Sequence, residues 1–204
     1  MLEQTFKTLA QNYTNNAALT GQLWAEIQTE YAAKNRYYHT LTHLQHLLNQ
    51  ISRVQNLISD RDTLLFSVFY HDIVYNPLQQ DNEARSAAFA AGRLAQLGVP
   101  PTQIAKCERQ ILATQGHKVS ADTDTNLFTD ADLSVLGQPW EIYAAYAAQV
   151  RQEYAIFPDL LYQPGRRKVL QFFLQLDSIY KTQFFQQRYE QQARANLTEE
   201  LKQL

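Results

Sequence analysis

The histidines of this chain are few, and most of them are clustered. The sequence has five, of which three lie in the segment YHTLTHLQH, as His39, His43 and His46. A fourth, His71, precedes Asp72 in the segment FYHDIVYNP. Imidazole nitrogen together with carboxylate oxygen suits zinc, iron, manganese or cobalt better than calcium. The residue types and their spacing therefore favour a transition-metal site, provided that these side chains face one another.

The apolar rows of the predicted helices indicate which of these side chains turn inward. Residues three or four apart share a helix face, so His43, Asp72 and Asp132 each continue an apolar row, whereas Asp130 lies on a more polar face. Glu83 begins the apolar row of its own helix. A buried carboxylate is costly unless a metal, a cation or hydrogen bonds compensate it. Ordinary alternatives remain open: a hydrogen-bonded core histidine, aspartates paired with arginine, and a first-turn glutamate that only favours the helix dipole.

The spacing of apolar residues predicts helices along the whole chain and no alternating strand pattern. Only six glycines and six prolines interrupt the chain, which favours long helices. We therefore expect an all-α, single-domain helical bundle over residues 1–204. The predicted helices cover residues 1–14, 19–31, 41–58, 64–72, 82–97, 101–115, 122–137 and 140–154, followed, after a loop at Pro158–Gly165, by one or two helices that reach Leu204.

Composition limits the class of protein and its partners. Hydrophobic residues make up 45% of the chain, which argues against disorder, and the net charge of −2 gives no reason to expect a nucleic-acid polymer or an anionic membrane. The single cysteine, Cys107, suits a reducing compartment. We expect neither a signal peptide nor a membrane span, because no basic start precedes an apolar run and no apolar stretch approaches about 18 residues. A cytoplasmic location is the resulting expectation.

The order of the candidate ligands resembles the signature of a known superfamily. His43, then the His71–Asp72 doublet, then Asp132 resemble the H…HD…D pattern of the HD superfamily, whose members are helical metal-dependent phosphohydrolases. More narrowly, the chain is similar to the family described as predicted metal-dependent HD phosphohydrolases. The similar segments span roughly residues 35–200: RYYHTLTHLQHLL, FYHDIVYNP with DNEARSAAFA, ILATQGHK, DADLSVLG, and the tail from IYKTQFF to ARANL.

This resemblance implies an HD-type bundle with His43, His71, Asp72 and Asp132 as metal ligands. The ion would be a divalent metal (Mn, Fe, Co, Zn, Ni or Mg), with one or two ions per chain. Some superfamily members have two further histidines between the doublet and the last aspartate, whereas this chain has only His117 there. Glu83 is a candidate for the missing ligand, so a second ion stays open.

The expected reaction is hydrolysis of a small phosphate ester, with a nucleotide as one option. A bound divalent ion lowers the pKa of a water molecule, Asp72 is the candidate for orienting that water, and Glu83 or His117 are the candidate proton-transfer groups. Candidate substrate-binding residues are His39, Arg85, Ser86 and Arg166.

Two other readings of the same signature stay open. One is a di-iron oxygenase of the HD fold, and the other is a non-catalytic ligand-sensing module. The sequence predicts neither the substrate nor the oligomeric state.

Overall fold

The computed structural model describes all residues, Met1–Leu204, and contains helices and no strands, which confirms the all-α prediction. The chain divides into two compact units, Met1–Thr129 and Asp130–Leu204, and the division falls inside α7. The α-helices are α1 (Leu2–Gln11), α2 (Ala17–Tyr31), α3 (Leu41–Arg53), α4 (Arg61–Tyr70), α5 (Asn82–Leu97), α6 (Pro101–Ala113), α7 (Thr123–Leu133), α8 (Trp140–Glu153), α9 (Asp159–Gln175) and α10 (Gln183–Gln203).

Local sequence explains where several of these helices begin and end. The side chains of Asn16 and Asp60 accept hydrogen bonds from backbone N–H groups in the first turns of α2 and α4. Such N-caps satisfy donors that have no partner inside the helix. Helix α5 ends at Gly98, whose φ of 81° is a left-handed conformation that glycine adopts without steric cost. Pro101 then occupies the first position of α6, where its missing N–H costs nothing.

Helix α4 lies at the centre of the first unit. Every residue from Thr63 to Tyr70 is buried, as expected for a helix that is apolar on all sides. The ring of Phe69 meets the ring of Phe6 edge-on, with centroids 5.2 Å apart, and packs edge-on against Trp24. The surrounding helices therefore fix the carboxyl end of α4, which leads directly into the His71–Asp72 doublet.

Helix α10 organises the second unit. The side-chain amide of Asn196 donates to the carbonyl oxygens of Leu136 and Gln138, both at 2.8 Å, and holds the 3₁₀ turn Ser134–Gly137. Gly137 in that turn approaches Tyr189 so closely that a Cβ atom would lie 2.5 Å from the Tyr189 Cβ. Only glycine fits there without a shift of the backbone.

Two of the differences from the predicted helix limits lie at the end of α3 and at the start of α9. Helix α3 ends at Arg53, and a separate 3₁₀ turn, Gln55–Leu57, replaces the predicted continuation to residue 58. The predicted loop Pro158–Gly165 is instead the start of α9, with Pro164 inside the helix. Arg151 of α8 binds the Asp159 carboxylate at 2.7 Å, and this contact fixes the beginning of α9. The C-terminal stretch thus forms two helices.

No helix of this fold combines the length and the apolar character that crossing a membrane requires.

Candidate metal centre

His71 terminates α4 in an orientation suited to binding a metal. Its imidazole is 1% exposed, and its Nδ1 lies 2.9 Å from the carbonyl oxygen of Val68. A carbonyl oxygen only accepts hydrogen bonds, so Nδ1 donates, and Nε2 of the neutral ring presents a lone pair. Metal-bound histidines usually have such a backbone partner on the other ring nitrogen, because it fixes the tautomer and the ring orientation.

His43 lies on the buried face of α3, and its Nε2 atom faces the Nε2 atom of His71. The two Nε2 atoms lie 3.1 Å apart, and His43 is 2% exposed. Two imidazole nitrogens bound to one ion at about 2.0–2.1 Å are separated by about 3 Å. The observed separation therefore suits a pair of ligands to the same ion.

Asp72 adds a carboxylate to this pair from the turn after α4. The helix ends at Tyr70, so the prediction that Asp72 continues a row on the helix is wrong, but its Oδ2 lies 3.0 Å from Nε2 of His71 and 3.8 Å from Nε2 of His43. Burial raises the pKa of the Asp72 carboxyl, but the histidines around it, His71 foremost, outweigh burial and hold that pKa below its usual range. The carboxylate is therefore ionised and available as a ligand at neutral pH.

Asp132 on α7 completes the group. It lies one turn beyond Phe128, whose ring packs edge-on against the His71 imidazole with centroids 5.6 Å apart. One ligand atom from each of His43, His71 and Asp132 lies within 4.8 Å of the others. These two buried histidines and one half-buried carboxylate could hold a metal ion.

Asp130, the other acid near the end of α7, binds backbone groups of the segment before α10. It is fully buried, not on a polar face as predicted, and accepts hydrogen bonds from the backbone N–H groups of Lys181 and Thr182 and from the Thr182 hydroxyl. Burial raises the pKa of this carboxyl. Asp130 therefore anchors the segment that enters α10, a structural role that fits the expected contrast with Asp132.

Arg36 and Tyr31, neither of which is among the predicted site residues, hold the His71–Asp72 turn. The Arg36 guanidinium is 7% exposed and donates to the carbonyl oxygens of His39 at 3.2 Å, Asp72 at 2.6 Å and Ile73 at 2.9 Å. The backbone N–H of Asp72 donates to the Tyr31 hydroxyl at 3.2 Å. A buried arginine that binds carbonyl groups leaves no signal in the sequence, because two of its three partners, Asp72 and Ile73, lie more than thirty residues away.

His39 lies at the edge of the centre. Its ring packs on that of Tyr75, with centroids 4.4 Å apart, and its Nε2 lies 3.9 Å from Oδ2 of Asp72. The side chain is 21% exposed. This position beside the ligands and within reach of solvent suits the predicted substrate-binding role, which stays a prediction.

The first turns of α5 hold the loop that follows Asp72. The Ser86 hydroxyl is fully buried and makes hydrogen bonds with both the N–H and the carbonyl of Val74, while Asn82 does the same for Asn76. The structure thus gives Ser86 a loop-anchoring role in place of the predicted substrate contact. Arg85, one residue earlier, is exposed.

Glu83 and His117, the candidate proton-transfer groups, are both half-buried. Glu83 lies in the first turn of α5, where an acid also favours the helix dipole, so both of its interpretations stay open. His117 follows α6 with a φ of 47° and its N–H bonded to the Ala113 carbonyl. A left-handed residue other than glycine is uncommon and often marks a functional site.

Arg166, predicted to bind substrate at a helix start, lies inside α9. Its guanidinium makes two hydrogen bonds to the Glu200 carboxylate, at 2.7 and 2.8 Å, and Glu200 also accepts from the Tyr143 hydroxyl. Burial opposes the charge of Arg166, but the pKa of its guanidinium is raised well above its usual value, with Tyr146 and Glu200 favouring the charged form. The anion that Arg166 meets is therefore an internal carboxylate.

No protein-family model, curated protein or solved structure matches the chain. The function is therefore inferred from the geometry of the centre and from the motifs in the sequence.

Proposed function

We propose that the chain is a metal-dependent phosphohydrolase that acts on a small phosphate ester. The observation that carries the proposal is the convergence of His43 Nε2, His71 Nε2 and Asp72 Oδ2 in one place, with Asp132 as the further carboxylate. The order of these residues along the chain is the H…HD…D order described above. The motif contains the three side chains that the geometry groups, His43, His71 and Asp132, and adds Asp72.

The donor set fits a divalent transition metal. Two neutral imidazoles and two carboxylates offer nitrogen and oxygen donors, and the His71 ring is already held by the Val68 carbonyl. A divalent ion in such a site lowers the pKa of a bound water and polarises a phosphoryl oxygen.

The residues around the ligands have separate tasks in this proposal. Asp72 would hold the ion through one carboxylate oxygen and would orient the attacking water with the other. Glu83 or His117 transfers a proton to the leaving group. His39, stacked on Tyr75 beside Asp72, contacts the phosphate.

A single ion per chain is the form that this donor set supports. The two-metal oxygenase alternative needs further nitrogen ligands, and the group that could hold an ion has only two histidines. A non-catalytic module of this fold tends to lose ligands, whereas all four candidate ligands are present in this chain.

The experiment compares metal content and turnover in the wild type, His43→Ala, Asp72→Ala and His46→Ala. His46 is the matched control, because it lies three residues after His43 on α3 and is exposed. We expect about one divalent ion per chain in the wild type and in His46→Ala, and little in the other two. A panel of phosphorylated metabolites, assayed with added Mn²⁺, Co²⁺, Ni²⁺, Zn²⁺ or Mg²⁺, identifies the substrate class. Equal metal in all four proteins, or no phosphate release by the wild type, would refute the proposal.

A further inference from the structure

Helix α9 carries an apolar row, Leu161, Gly165, Val169 and Phe172, on its exposed side. The three larger side chains are 63%, 45% and 46% exposed. The row follows spacings of four, four and three residues, which place side chains on one face of a helix. Leu170, on the opposite side of α9, is buried. The helix therefore packs into its own unit through that side, and the α9 row lies outside the core.

The exposed apolar surface around the α9 row is large for a monomer. Leu160, 84% exposed, directly precedes the row, and Ile156, 64% exposed, lies in the connection from α8. These two residues and the row together expose apolar surface on the order of 500 Å², close to the largest patch of a typical monomeric protein. A standard interface buries about 800 Å² on each partner, of which about 65% is apolar in homodimers. The exposed apolar surface therefore matches what one side of a homodimer interface needs.

Gly165 leaves a gap in the row that no part of its own chain fills. A Cβ atom built on Gly165 would meet no other atom within 4 Å, and the backbone there is not left-handed. Glycine inside a helix is destabilising relative to alanine. Neither turn geometry nor packing within the chain accounts for this glycine, whereas the close approach of another chain does.

The α9 row is self-complementary when two copies run antiparallel. Gly165 and Phe172 lie equally far from the midpoint between Lys168 and Val169. A two-fold axis through that midpoint places the Phe172 ring of each copy over the Gly165 gap of the other copy. Two-fold pairing of this kind uses the same surface on both subunits.

We propose that two copies of this chain pair antiparallel through the α9 row, with each Phe172 ring packed on Gly165 of the other copy. The occupant is a second copy, because the gap and the ring that fills it belong to the same row. The exposed side chain of Lys168 lies beside the axis, so two like charges approach each other in the pair. Added salt screens this repulsion and should strengthen the pairing. The inference is independent of the proposed reaction.

The test is sedimentation equilibrium of the full chain over a range of protein and salt concentrations. The variants are Phe172→Ala, Gly165→Ala and the control Leu112→Ala, in which a leucine of α6 with 45% exposure is replaced. We expect the wild type and Leu112→Ala to dimerise at micromolar concentration, within the affinity range of interfaces of this size. Phe172→Ala should weaken the dimer by about 10-fold or more, because both symmetric contacts are lost.

Gly165→Ala separates the interface from the fold, because its two effects have opposite signs. The added methyl group closes the gap and should weaken the dimer by about 10-fold or more. In dilute solution, where the chain is monomeric, the same change should raise Tm by about 2–4 °C, since alanine favours the helix. Lys168→Gln removes the like charges beside the axis and should strengthen the dimer and reduce its dependence on salt.

A wild type that stays monomeric overturns the inference, including a monomer that instead binds vesicles of phosphatidylcholine and phosphatidylserine through the row. A dimer that Phe172→Ala and Gly165→Ala leave unchanged overturns it as well, since the pairing surface would then lie elsewhere. If Phe172→Ala does not fold, Gly165→Ala and Lys168→Gln decide in the same way.

Discussion

Buried imidazoles at this centre are oriented by backbone groups as well as by packing. The Val68 carbonyl fixes the tautomer of His71, and Arg36 fixes three carbonyl groups around the His71–Asp72 turn. Each contact reduces the freedom that a ligand would otherwise lose on metal binding. Partners of this kind typically change metal affinity by about 10–100-fold when they are removed.

Replacement of Arg36 by lysine should therefore weaken metal binding more than it weakens the fold. Lysine keeps the charge but loses the planar fork that reaches carbonyl groups on both His39 and Ile73. We expect metal affinity to fall by about tenfold or more, measured by competition with a chelator. The Arg36 guanidinium combines its hydrogen bonds with a contact to the Tyr31 ring, 4.8 Å from the centroid. The matched control is Arg93→Lys, because Arg93 likewise combines a hydrogen bond, to Glu26, with an aromatic contact, to Phe89. Equal metal affinity in the two variants would show that Arg36 only supports the fold.

Two substitutions at His117 separate the effect of its left-handed backbone on stability from the effect of its imidazole on turnover. Because its φ is 47°, His117→Gly should relieve the left-handed backbone and stabilise the fold by up to about 1 kcal/mol. His117→Ala removes the same imidazole but keeps the strain, so it should give no such gain. If His117 transfers a proton, both variants should lose turnover by a factor on the order of 10² or more. Thermal unfolding and turnover are the measurements, and full turnover in either variant would remove His117 from the catalytic residues.

At the scale of elements, the sequence predicted that α7 and α4 are helices but not how their acids face. On α7 the helical phase placed Asp130 on a polar face and Asp132 on the buried one, whereas Asp130 is fully buried and Asp132 is half-buried. The same reasoning failed at α4, which ends before His71. The turn that follows α4 is held by Arg36 and Tyr31, which lie more than thirty-five residues before Asp72 in the sequence. Hydrophobic periodicity carries no information about such distant partners.

The two acids of α7 should have opposite effects when each is replaced by alanine. Asp130→Ala leaves the buried N–H groups of Lys181 and Thr182 without an acceptor, so we expect a loss of about 3 kcal/mol in the free energy of unfolding. Metal content should remain. Asp132→Ala should lose metal and keep most of its stability in the metal-free state. Urea unfolding and metal analysis of both variants test this, and the reverse ranking would move the ligand role to Asp130.

At the scale of the whole chain, composition and spacing predicted the helix content but not the division into Met1–Thr129 and Asp130–Leu204. No linker marks the division, because it falls inside α7. Pro164 likewise suggested a loop, whereas Arg151 and Asp159 hold the beginning of a helix there. Contacts between residues far apart in sequence or in separate helices determine these features, and they are visible only in the folded chain.

The candidate ligands come from α3, the end of α4 and α7, so a bound ion should stabilise the folded chain as a whole. A ligand that binds only the folded state at 100 times its Kd adds about 2.7 kcal/mol, which should raise Tm by roughly 5–10 °C. Imidazole must be neutral to bind a metal, so this gain should be present at pH 7.5 and fade between pH 7.5 and about pH 5, as protons compete for the imidazole nitrogens. Asp72, whose pKa is held below its usual range, stays ionised over that interval, and the loss therefore reports the histidines. Thermal unfolding with and without Mn²⁺ or Co²⁺ at several pH values tests this prediction. The metal-dependent rise in Tm should be the same in His46→Ala as in the wild type and absent in His43→Ala. An equal rise in Tm in both variants would place the stabilising ion elsewhere.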